Sequence, residues 1–146
     1  MRPAGLTALS VFFAAGAVLA WTSSVSLAFP GSPLEPLWSV NPHARDVLAR
    51  FGAWAVVLMA LVGAACAASA IGVWIGARWG RWLALGMLGA NLIGDVLNGV
   101  LGAEPRAIVG VPIAGALLIY LATARVRRFF AHGAAKSVRH KPYDKS

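Results

Sequence analysis

Four stretches of this chain, at about 6–29, 51–75, 82–101 and 106–124, run on with few charged side chains and no regular alternation of apolar with polar. A helix that is hydrophobic all round has no face to offer water and must sit in lipid or in a buried core. Roughly 20 helical residues cross a hydrocarbon layer of about 30 Å, and each stretch is close to that length or exceeds it. Only 12% of the residues are charged and 59% are hydrophobic, whereas soluble domains carry roughly 25% charged residues. So few polar side chains cannot cover a soluble globule of 146 residues. The expected fold class is all-α, an integral membrane four-helix bundle. It occupies residues 1–132 as one transmembrane domain, followed by a basic tail at 133–146 that is expected to be disordered.

The first stretch has a basic start at Arg2 and a small-x-small triplet at Ser26-Leu27-Ala28, as a secretion leader would. Its apolar part outruns the 7–15 residues typical of a leader's core, so it is read as a retained helix. Pro30-Gly31 and Pro33 then stop helical continuation. Leu34, Leu37 and Trp38 are apolar, which lays this connection on a bilayer surface. Asn41-Pro42 reads as an N-cap with proline at the first helical position, so the second helix starts near Pro42, a turn or two before entering lipid. The connection at 76–81 is short enough to force antiparallel neighbours. Small residues recur four apart at Gly63/Ala67, Gly72/Gly76, Ala90/Gly94 and Gly110/Ala114, a spacing that lets helix backbones approach closely in lipid. Contacts within the chain explain them more simply than a dimer does. Pro112, inside the fourth stretch, is expected to bend it.

Lysine and arginine placement sets the orientation. With four crossings, both termini and the second connection share one side. That side holds Arg2, Arg78, Arg81, Arg125, Arg127, Arg128, Lys136, Arg139, Lys141 and Lys145, ten of the thirteen basic residues. The other side holds Arg45, Arg50 and Arg106. Both termini are therefore expected in the cytoplasm, with the protein multi-pass in a cytoplasmic (inner) membrane. Trp74, Trp79 and Trp82 gather at the inner boundary and Trp21 and Trp38 near the outer one, as interfacial belts do. Arg125, Arg127 and Arg128, followed by Phe129 and Phe130, suit an interfacial extension touching anionic lipid headgroups. Positive-inside anchoring accounts for the basic tail without any nucleic acid.

Asn91, Asp95 and Asn98 lie in one stripe of the third stretch, at spacings of four and three. Asp95 is about 20 Å along the axis from Trp82, in the outer half of the membrane. An ionised carboxylate there is unfavourable by about 3 kcal/mol on insertion scales, so it should face other helices or water. Arg50 and Arg106 are the candidate partners at matching depth, with His43 more distant. Three readings compete. In the favoured one the stripe ties the helix to its neighbours and sets their rotation. In the alternative, a small transporter or channel subunit uses Asp95 as a proton or cation site. An enzyme would need a second catalytic group, and Tyr120 belongs near the opposite face; no enzymatic activity is expected.

The lone Cys66 allows no intrachain disulfide, no His/Cys/Asp/Glu spacing suits a metal, and no phosphate-binding glycine loop follows a strand. No cofactor is expected. A homo-oligomer or a partner membrane protein stays open. Arg78-Trp79-Gly80-Arg81-Trp82, Asn91-Leu92-Ile93-Gly94-Asp95 with Asn98, Arg106, Gly110-Val111-Pro112-Ile113, Gly115 and Tyr120 form a further pattern. In these residues, over about 78–130, the chain resembles a group of uncharacterised small bacterial four-span membrane proteins with no assigned activity. The resemblance implies a fold and no chemistry; a looser similarity to DoxX-like four-helix proteins extends only to the number of spans. The expected role is an accessory or structural membrane protein.

Overall fold

The computed structural model describes residues 4–100, 110–124 and 126–130, and of Asn98 and Gly99 the backbone alone. Among the described residues the fold is all-α, without a strand. Helix α1 is Ala4–Ala28. A 3₁₀-helix at Glu35–Val40 leads to α2, Pro42–Arg50. Then come α3, Ala53–Trp74; α4, Arg78–Val100; and α5, Gly110–Ala122.

Two of these helices, α1 and α3, are long and apolar enough to cross a membrane, with mean hydropathies of 1.8 and 2.4. In the most apolar part of each, only 33% and 28% of the residues are buried. The core helix of a soluble protein would be mostly enclosed. Here Val11, Phe12, Val18 and Leu19 on α1, and Trp54, Leu58, Leu61 and Ile71 on α3, stand exposed. Helix α4 has the length to cross, but Arg78, Arg81, Asn91, Asp95 and Asn98 make it less apolar. Helix α5 is apolar and is described for 13 residues. The beginning of the fourth expected span lies at 106–109, outside the described residues, and so does the tail at 133–146.

The expected cap before α2 is present: the Asn41 side chain accepts from the Ala44 amide at 3.0 Å, with Pro42 opening the helix. The expected continuation from α2 into the second span is not. Helix α2 closes on Phe51, and Gly52 follows at φ +54°, a left-handed residue that ends helices at low cost. The chain then restarts as α3, so the stretch read as starting at 51 is an apolar helix from Ala53 preceded by a separate amphipathic one.

The α3–α4 connection closes by the same physics. Gly76 sits at φ +71°. Its amide donates to the Val73 carbonyl at 3.3 Å, and the Ala77 amide to the Gly72 carbonyl at 2.9 Å, so the last carbonyls of α3 are satisfied. The backbones then meet directly: a Cβ added at Gly72 would lie 2.5 Å from the Gly80 Cα.

The chain divides into two compact units, Val11–Ala67 and Met1–Ser10 with Ala68–Ser146. In the first, Phe13, Ala17, Ala20, Ala55 and Cys66 are buried. Helices α1 and α3 are joined there by polar side chains. Ser24 Oγ donates to the Val56 carbonyl at 2.9 Å, and Trp21 Nε1 to the Ala60 carbonyl at 3.3 Å. Trp21 also lies against Gly63. The second unit buries Leu6, Leu9, Val73, Leu88, Leu121, Val126 and Phe130. In it α4 packs on α5. Arg81 near the start of α4 meets Leu121 near the end of α5, and Asp95 meets Gly110 at the opposite ends, so the pair is antiparallel.

Candidate functional site

Of the predicted stripe, Asp95 is the residue that the structure places against a neighbouring helix. It is half-buried, and its Oδ2 occupies the space that a Cβ on Gly110 would need. The glycine is what lets α5 come this close, since any larger residue would collide with the carboxylate. Asn91, one turn earlier, is exposed, so it does not share the enclosure of Asp95. The side chain of Asn98 lies outside the described residues.

The arginine partners expected for Asp95 stand differently. Arg106 is outside the described residues. Arg50 is exposed in the last turn of α2, in the other compact unit. His43 is likewise exposed on α2. Among the described residues Asp95 has no ion-pair partner; Arg45 pairs with Glu35 instead, which ties α2 to the preceding 3₁₀-helix. Tyr120 packs its ring and hydroxyl over Gly5. It is ten residues along α5 from Gly110, about 15 Å. An acid–phenol pair with Asp95 is therefore not assembled.

Comparison with protein families, characterised proteins and solved structures gives no match. No residue role comes to this chain from elsewhere. What the site can do follows from its own geometry.

Two features went unread in the sequence. Trp38, in the surface connection, donates from Nε1 to Ser26 Oγ at 3.0 Å, pinning that connection to the end of α1. Beside it lies a cavity of about 700 Å³ with Ser26, Leu27, Arg45, Asp46 and Val56 in its wall. The second feature is at the start of α4. Arg81 Nε donates to the Leu121 carbonyl at 3.3 Å, and its guanidinium carbon is 5.6 Å from the centre of the Trp82 ring. Residues 126–130 are helical after a bend at Thr123, whose hydroxyl donates to the Tyr120 carbonyl at 2.7 Å. This segment buries Val126 and Phe130, and Phe129 lies against Gly76. The aromatic pair expected at an interface thus packs on protein, in a T-shaped arrangement with ring centres 5.6 Å apart.

Proposed function

We propose that this chain is an integral membrane protein of four crossings in a cytoplasmic membrane, both termini inside. In an accessory or structural role, Asp95 of its Asn91–Asp95–Asn98 stripe orders helix packing. The membrane part of this reading is supported by two long apolar helices whose apolar side chains are mostly unburied. The two helices are joined side by side, Trp21 and Ser24 of α1 both donating to α3 carbonyls. The packing part is carried by one observation, the Asp95 carboxylate seated on Gly110. A polar group that contacts a neighbouring backbone fixes the rotation of its helix, because every other rotation leaves it in hydrocarbon.

The test compares Asp95→Ala with Asp95→Asn. On the packing reading, Asp95→Ala lowers the thermal stability of the detergent-solubilised protein by about 1–2 kcal/mol, and wild type in proteoliposomes carries no pH-linked flux. The competing outcome is a flux in wild type that Asp95→Asn abolishes with the fold intact. That result would make Asp95 a proton or cation site and retire the packing role.

A further inference from the structure

We propose that the first turn of α4 and the helical segment 126–130 together form a binding site for the phosphate of one anionic phospholipid, held by Arg78, Arg81 and Arg127. The inference rests on the membrane reading and goes beyond it by naming a ligand class and its residues. The site is a cavity of about 220 Å³ lined by Arg78, Arg81, Trp82, Arg127 and Phe130.

Three arginines from two segments far apart in sequence line this space. Three like charges lining one cavity favour an anion there. Asp95 is the one carboxylate among the described residues of this unit, and it lies fourteen residues along α4 from Arg81, about 21 Å. A bound anion would supply that counter-charge. Arginine forks match phosphate oxygens in pairs, and each guanidinium carries five donors in a fixed plane. Arg81 is already positioned, with one donor held by the Leu121 carbonyl and its plane near Trp82, so little side-chain freedom remains to be lost on binding. Arg78 is the first residue of α4, where the positive end of the helix adds to the attraction.

The surroundings select a lipid over a soluble phosphate. Trp82 lines the cavity and is nevertheless 68% exposed; Trp74, Ile75 and Trp79, near it in sequence, are exposed as well. An exposed tryptophan in the wall of a basic cavity is what an interfacial headgroup with its acyl chains would meet. Phe130, 2% exposed, closes the wall on the protein side. Of the three arginines that the sequence marks for headgroups, Arg127 lines this cavity; its companions there, Arg78 and Arg81, come from the first turn of α4.

Native mass spectrometry of the full-length protein in detergent tests the site, with dioleoyl-phosphatidylglycerol, dioleoyl-phosphatidylcholine and inorganic phosphate as probes. The expected result is one phosphatidylglycerol retained per chain, about tenfold tighter than phosphatidylcholine. The Arg78→Gln/Arg81→Gln/Arg127→Gln variant should lose that retention. A Lys136→Gln/Arg139→Gln/Lys141→Gln variant removes the same charge from the tail and should keep it. Arg127→Gln alone, with helicity checked by circular dichroism, should show an intermediate loss if the triple variant misfolds. Equal retention of both lipids by wild type, or equal loss in both triple variants, would overturn the proposal. Displacement of the lipid by millimolar inorganic phosphate would replace the lipid with a soluble phosphate ligand and overturn it too. Failure of the membrane reading is seen separately, as release of the protein from membranes by alkaline carbonate.

Discussion

At the residue scale, the account turns on Gly110. A methyl group there would collide with the Asp95 carboxylate, and overpacking of this kind typically costs about 1–3 kcal/mol. Gly110→Ala should therefore lower the unfolding free energy by that amount in a detergent thermal melt. Adding Asp95→Ala to Gly110→Ala should restore part of it, so the two substitutions couple by about 0.5 kcal/mol or more. Purely additive losses would mean that the carboxylate and the glycine do not touch. The acid itself was legible in the sequence, because a lone carboxylate in an apolar stretch is conspicuous. Its neighbour was not. Charge and depth point to Arg50 and Arg106, the latter outside the described residues, while the contact with Gly110 depends on the antiparallel register of α4 and α5, which no local pattern encodes.

Elements carry their own tests in their ends. Gly76 is left-handed at φ +71°, with Phe129 Cε1 3.0 Å from where a Cβ would sit. Gly76→Ala should cost about 1–2 kcal/mol from the backbone alone, read as a lower melting temperature. Asn41→Ala should remove about 1 kcal/mol from α2, seen as faster amide exchange across 44–50 with α3 unaffected. Faster exchange throughout α3 would show that the two helices behave as one. Long apolar runs gave the positions of α1, α3 and α4 to within a few residues, since hydropathy and helix length are local properties. The helix starts earlier than the charged residues suggest: Arg78 and Arg81, in the stretch read as a connection, are helical, and Arg81 is bonded to α5. The break at Phe51–Gly52 was missed because apolar residues continue on its far side, and one glycine in such a run does not announce a left-handed turn.

For the molecule as a whole, lipid is the solvent that makes the remaining features consistent. Exposed tryptophans and aliphatics along α1 and α3 would be an aggregation surface in water and are ordinary in a bilayer. The most direct measurement uses the fact that Cys66 is the only cysteine. In a Cys66→Ser background, single cysteines at Ser32, Ala77 and Ala134 would be labelled in intact cells with a membrane-impermeant maleimide, before and after permeabilisation. Four crossings with both ends inside require Ser32→Cys to react in intact cells, and Ala77→Cys and Ala134→Cys to react only once the membrane is opened. Labelling of Ser32→Cys and Ala77→Cys from the same side would contradict the account.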